Sequence, residues 1–135
     1  MNKNHSFHKT QKLKSKKDID DLFNDGKNAF TFPLKVVFKK QENEEYRSLP
    51  KIAISVSKRK FKKAVDRNTI KRRIREAYRL NNDMFKTFAI ESKTKYDILF
   101  IYIGNEISPY EVIHKSIIKI LKSIVKDNGT VDNKS

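Results

Sequence analysis

The chain has 135 residues, with 31 Lys and Arg against 16 Asp and Glu, which gives a formal net charge of +15. This length suits a single domain with one core, and a hydrophobic fraction of 37% is too high for a disordered chain. The charge predicts a polyanionic partner such as RNA, DNA or an anionic membrane surface, and the absence of Cys excludes disulfides, thiolate metal sites and cysteine nucleophiles.

The two ends of the chain differ in composition from its middle. Residues 1–12 are expected to form a flexible basic tail, residues 13–126 one folded domain, and residues 127–135 a flexible C-terminal tail. The N-terminus lacks the apolar stretch of a secretory signal. The longest clean apolar run, Ile98–Ile103, suits a buried strand better than a membrane span. We therefore expect a soluble, cytoplasmic protein.

The first organised segment predicts a short helix from about Lys16 to Asn24. Ser15 and Asp18 have the spacing of a capping box at its start, and Gly26 is suited to end it in a left-handed conformation. The apolar face of this helix consists of Ile19, Leu22 and Phe23.

Three segments have the composition of strands, at Phe32–Lys40, Lys51–Lys58 and Lys95–Ile103. The second alternates between branched apolar residues and a face of small or polar residues that includes Ser55. The third is apolar almost throughout, which is typical of a central strand. The chain has room for one more strand near Glu45–Leu49.

Two longer amphipathic helices complete the predicted order. One runs from about Arg67 to Leu80, with Asp66 as its N-cap and an inward stripe at helical spacing. The other begins with Ser108 as N-cap and Pro109 in its first turn. The sequence therefore predicts an α+β sandwich, in which a small sheet carries helices mainly on one face.

Positive charge is concentrated between Lys58 and Arg79, where eleven basic residues accompany two acids. Like charges one helical turn apart cost roughly 0.2–0.5 kcal/mol per pair unless a partner neutralises them. Phosphate groups would turn that repulsion into attraction. A solvated basic face or a membrane-binding surface would explain the same charge, but such local density exceeds what solubility needs, and nucleic acid fits best.

The sequence contains no clear catalytic or metal site. His5 and His8 lie in the basic tail, where they are weak evidence for a metal site. The acids in the first turn of the first predicted helix are expected to interact with the helix dipole, as acids at that place usually do. With 3 Gly in the chain, a glycine-rich phosphate loop is not expected. From its own residues, the chain is interpreted as a binding protein.

The segment Ile54–Arg79 resembles the signature region of bacterial ribonuclease P protein components. In that family a strand ending in Ser-x-Ser-Lys-Lys is followed by a short linker, by Ala-Val-x-Arg-Asn-Arg-Ile-Lys-Arg, and then by Arg-Glu. The matching residues are Ser55, Ser57, Lys58, Arg59, Ala64, Val65, Arg67, Asn68, Ile70, Lys71, Arg72, Arg75 and Glu76. Thr69 replaces the second Arg of Arg-Asn-Arg, so one phosphate contact of the family is either lost here or taken over by Arg73.

The resemblance implies an α-β sandwich with a small mixed sheet and a left-handed crossover, similar to the second domain of a small-subunit ribosomal protein. It also implies the protein subunit of ribonuclease P, the endoribonuclease that removes the 5′ leader of precursor tRNA. In that enzyme the catalytic groups belong to an RNA subunit, which holds most of the Mg²⁺. No metal ligand and no obligate protein partner are expected in this chain.

Two RNA-binding surfaces follow from the resemblance. The surface expected to bind the catalytic RNA consists of Lys58, Arg59, Arg67, Asn68, Lys71, Arg72 and Arg75. A cleft between the first helix and the sheet, expected to bind the leader, consists of Ile19, Phe23, Phe38 and Ser55. Plain core packing is an equally reasonable role for Phe23 and Phe38.

Two rival functions remain open from the sequence. A ribosomal or ribosome-assembly protein would share the size and the basic composition. An enzyme that acts on RNA unaided would also need a basic surface. Incubating the chain with precursor tRNA and Mg²⁺, with and without the catalytic RNA, would distinguish both rivals from a protein subunit of ribonuclease P.

Overall fold

The computed structural model describes residues 16–42 and 50–129. Its elements are α1 (Lys16–Asp25), β1 (Lys27–Thr31), β2 (Leu34–Glu42), β3 (Lys51–Val56), α2 (Ala64–Asn81), α3 (Asp83–Glu91), β4 (Thr94–Tyr102) and α4 (Tyr110–Gly129). The strands form a sheet in the order β1-β2-β4-β3, in which β3 and β4 are parallel and the other neighbours antiparallel. The predicted α+β class with a small mixed sheet is confirmed.

The described helices divide unequally between the two faces of the sheet. On one face, strand residues such as Val36 and Phe100 pack with α2, α3 and α4 in the main core. On the other face, Leu22 of α1 packs against Val37 and Leu99 in a much smaller cluster. The helices therefore lie mainly on one face, as predicted, and we call the other side the α1 face.

Gly26 allows α1 to lie close against the sheet. Its amide donates to the Leu22 carbonyl at 2.8 Å and ends the helix. Its φ is not positive, so the predicted left-handed ending is wrong. Glycine is needed because a β-carbon here would overlap the Leu22 carbonyl oxygen and lie 2.8 Å from Val37 Cγ1. The predicted capping box rests on Ser15, which lies outside the described residues, and on the side chain of Asp18, which is not described either.

Two further predictions need correction in the first half and the middle of the chain. The predicted strand Phe32–Lys40 is part of a hairpin, in which β1 and β2 pair across a turn at Phe32 and Pro33. Helix α3 was not predicted, although Phe85 and Ala89 anchor it in the main core. The possible strand near residues 45–49 falls outside the described residues.

The two long helices have the expected buried stripes, but each begins at a different residue from the one that was predicted. Helix α2 begins at Ala64 because the amides of Asp66 and Arg67 donate to the Lys63 carbonyl, at 3.1 and 3.2 Å. Lys63, and not Asp66, is therefore the N-cap. Helix α4 begins two residues after Ser108, whose hydroxyl accepts a hydrogen bond from Tyr102 at 2.8 Å. Across the described residues, no helix combines the length and apolarity needed to span a bilayer.

Candidate nucleic-acid interface

The loop between β3 and α2 is held in a defined shape by its own side chains. Ser57 Oγ accepts hydrogen bonds from the amides of Arg59 and Lys60, both at 3.2 Å. Phe61 is buried and packs edge-on against Tyr102, with ring centroids 5.8 Å apart. With its centre anchored, the loop presents the exposed side chains of Lys58 and Arg59 to solvent.

Arg67 holds this loop onto the first turn of α2. Its Nη1 donates to the carbonyl oxygens of Phe61, at 2.8 Å, and Lys62, at 3.0 Å. Helical spacing places Arg67 in line with Ile74 and Tyr78, at the end of the buried stripe that lies next to the loop. The structure therefore gives Arg67 a positioning role in addition to its positive charge.

We expect Arg67→Ala to loosen the loop and to lower the free energy of unfolding by about 1.5–3 kcal/mol, because a charged guanidinium nitrogen loses its hydrogen bonds to two backbone carbonyls. The Phe61 amide, which donates to the Ser57 carbonyl at 3.1 Å, should exchange its hydrogen faster. Arg72→Ala is the matched control, since it removes the same charge without touching the loop. Equal Phe61 exchange rates in both variants would contradict the positioning role.

The outward face of α2 carries the exposed residues Asn68, Arg72 and Arg75, with Lys71 half-buried at its side. The buried stripe of Ile70, Ile74, Ala77 and Tyr78 lies on the opposite side of the helix. Within the described residues, neither Arg72 nor Arg75 forms an ion pair. We call the loop and this face together the basic ridge, which consists of Lys58, Arg59, Arg67, Asn68, Lys71, Arg72 and Arg75.

Two other arginines of α2 are committed to contacts inside the protein. Arg79 forms a two-point pair with Glu76, at 2.6 and 3.2 Å, and this hydrogen bonding raises the pKa of Arg79. Arg73 Nη1 donates to the Ser108 carbonyl at 2.7 Å and ties α2 to the start of α4. Thr69 donates back to the Val65 carbonyl at 2.9 Å. Arg73 therefore has a structural role at the start of α4, and any phosphate contact that it makes in place of an arginine at position 69 would be additional to this bond.

Three of the four predicted leader-binding residues lie on the α1 face. Ile19 is half-buried against the small cluster, whereas Phe23 projects with 59% of its surface exposed. Ser55 is exposed on β3, on the same sheet face as Ala53 and Leu99. The structure thus brings an exposed aromatic ring and an open strand surface to the same side of the molecule.

Phe38 does not belong to this group. Along β2, Val37 faces α1, and the next residue therefore faces the opposite side of the sheet. Phe38 is 3% exposed and packs in the main core with α2, α3 and α4. Its assignment to the leader cleft is corrected, and core packing, the alternative considered above, is its role.

Comparison with known proteins decides the family. A family model described as Ribonuclease P matches residues 7–125. The chain belongs to the ribonuclease P protein family. A ribonuclease P protein component from Clostridioides difficile is 35% identical over 120 residues, covering 89% of this chain and 93% of the relative. One from Porphyromonas gingivalis is 29% identical over 123 residues, covering 91% and 87%.

Solved structures of ribonuclease P proteins share this fold. The Staphylococcus aureus RNase P protein aligns with a TM-score of 0.65 at 26% identity, over 86% of this chain and 96% of that one. The RNase P protein from Thermotoga maritima aligns with a TM-score of 0.63 at 25% identity, over 83% and 96%. Family membership and the described fold therefore agree with each other.

Proposed function

We propose that this chain is the protein subunit of ribonuclease P and that it binds the catalytic RNA through the basic ridge. The observation that carries the proposal is the outward line of Asn68, Arg72 and Arg75, in which the guanidinium groups of the two arginines pair with no acid of the described residues. Arginine offers phosphate two parallel donors, and each neutralised phosphate releases counterions. Membership of the ribonuclease P protein family supports RNA as the polyanion.

The α1 face supports a second contact, with the single-stranded 5′ leader of precursor tRNA. Phe23 exposes a ring on which a nucleobase can stack, Ile19 offers apolar surface, and Ser55 offers a hydroxyl on the open strand. Stacking on an aromatic ring tolerates any base, as leaders of varied sequence require. Leader recognition in this proposal depends on shape and stacking more than on base identity.

The chain's own contribution is to bind and orient RNA. Among the described residues, no three His, Cys, Asp or Glu side chains come together as metal ligands would. We assign the Mg²⁺ of the cleavage reaction mainly to the RNA, as the resemblance to ribonuclease P protein components implies. Lys and Arg charges beside both RNAs reduce repulsion between their phosphates, which lowers the Mg²⁺ concentration that cleavage requires. Because the substrate is precursor tRNA, we place this activity in the cytoplasm.

Reconstitution tests the proposed function. The purified chain is mixed with precursor tRNA at low Mg²⁺, with and without the catalytic RNA, and leader release is followed. We expect no cleavage by the chain alone and at least about a tenfold faster cleavage when it joins the RNA, because the basic ridge substitutes for part of the Mg²⁺. Cleavage by the chain alone would indicate an unaided enzyme, and absence of stimulation would favour the ribosomal alternative.

A further inference from the structure

A row of side chains crosses the sheet on the α1 face, from one edge strand to the other. Strand pairing places Phe30 of β1 opposite Lys35 of β2, Lys35 opposite Ile101 of β4, and Ile101 opposite Ser55 of β3. Directly opposed residues point to the same face of a sheet. Adjacent strands are about 4.8 Å apart, so the row is roughly 14 Å long. We call these four residues the cross-sheet row.

Phe30 leaves an aromatic ring in solvent at the outer end of this row. It is 64% exposed, whereas its neighbour Ala29, which points to the other face, packs against the main core. Lys35 beside it is exposed and forms no ion pair within the described residues. The outer end of the row therefore combines an open π-face with an unneutralised positive charge.

This combination fits a single-stranded nucleic acid better than other partners. Aromatic rings that stack bases and cations that follow the backbone are the two components of single-strand binding surfaces. A second copy of this chain would bring another net charge of +15, and the two copies would repel each other. The row also ends at Ser55, which is already part of the proposed leader surface, so a strand bound there is continuous with it.

We propose that Phe30 and Lys35 form an outer subsite for the leader, in which Phe30 stacks one nucleobase and Lys35 contacts an adjacent phosphate. The inference rests on the proposed function and extends the leader path across the sheet to the edge strand β1. A row roughly 14 Å long exceeds the rise of about 3.4 Å per stacked nucleotide, so it has room for more than one nucleotide. With this subsite, the affinity for precursor tRNA depends on the length of the leader.

The test uses the holoenzyme with precursor tRNAs whose leaders are shortened one nucleotide at a time. Phe30→Ala should weaken binding of the long-leader substrate about five- to 100-fold and leave binding of mature tRNA unchanged. The increase in affinity on lengthening the leader should therefore stop at a shorter leader than in the wild type. Phe30→Trp should retain the gain, because the indole still stacks. Lys35→Ala should reduce the gain and also its salt dependence.

Phe32→Ala is the matched control, because Phe32 is 61% exposed but lies in the turn, outside the row. The subsite would be overturned if Phe32→Ala and Phe30→Ala lost the same affinity for the long-leader substrate. It would also be overturned if the affinity of Phe30→Ala depended on leader length as in the wild type. The failure of the proposed function is distinct, since it would appear as a wild-type chain that does not stimulate the RNA. In that case, unchanged binding of a single-stranded oligonucleotide by Phe30→Ala would overturn the subsite on its own.

Discussion

Replacing both Arg72 and Arg75 with alanine is expected to weaken binding of the catalytic RNA by about 100- to 10,000-fold. Both side chains project from the outward face of α2 and have no acidic partner among the described residues. A hydrogen bond to a charged group contributes about 1.5–3 kcal/mol, and two such contacts would be lost. The measurement is the dissociation constant of the chain from the catalytic RNA at several salt concentrations.

The salt series separates loss of phosphate contacts from loss of overall charge. The slope of log affinity against log salt should fall by about two, one for each arginine. Lys115→Ala combined with Lys119→Ala removes the same charge from exposed positions on α4 and should change both quantities little. If the α4 variant matches the α2 variant, the RNA responds to net charge alone and the basic ridge is not its docking site.

Gly26→Ala is expected to destabilise the protein by about 1–3 kcal/mol, a large part of the stability of a small domain. The added methyl group would meet the backbone oxygen of Leu22, would lie 2.8 Å from Val37 Cγ1 and would come within 3.1 Å of the Phe38 oxygen. Backbone atoms cannot rotate away, so α1 must shift from the sheet. Chemical denaturation measures the change in free energy of unfolding.

Gly104→Ala provides a comparison with the same chemical change. A β-carbon at Gly104 would meet only side-chain atoms of Tyr102, at 3.0–3.2 Å, and we expect a smaller loss of stability. Gly26→Ala should also reduce the preference for leader-bearing over mature tRNA, because α1 carries Phe23. Stability and leader preference that both match the wild type would contradict the close contact between α1 and the sheet.

Helical periodicity in the sequence was sufficient to predict α2 and α4, because their buried stripes recur over several turns. The shorter elements were harder to recognise. Strand β1 has 5 residues with mixed exposure, and the apolar residues Phe32 and Pro33 of the turn resemble the start of the strand that follows them. Helix α3 has 9 residues and follows α2 after a single residue, so its pattern of Phe85, Phe88 and Ala89 is too short to indicate a separate helix.

For the candidate interface, the sequence indicates where the basic side chains lie along the chain better than it indicates the contacts that they make inside the protein. Strand alternation shows that Phe38 and Val37 face opposite sides, but it does not show which side α1 covers, so Phe38 was misplaced. Charge density identified the basic ridge, yet the pattern could not reveal that Arg67 bonds the loop carbonyls or that Arg73 bonds Ser108. Such bonds depend on segments that meet only in the folded chain.

The separation of the two apolar clusters determines which part of the molecule opens first in a local fluctuation. Because α1 is held by a few side chains such as Leu22, and α2 is held by the main core, α1 can detach in a local opening that needs less free energy than global unfolding. Thermal fluctuations therefore act on the side with Phe23 while the arginine-bearing helix stays fixed. Substitutions that remodel one surface can accumulate without disturbing the other.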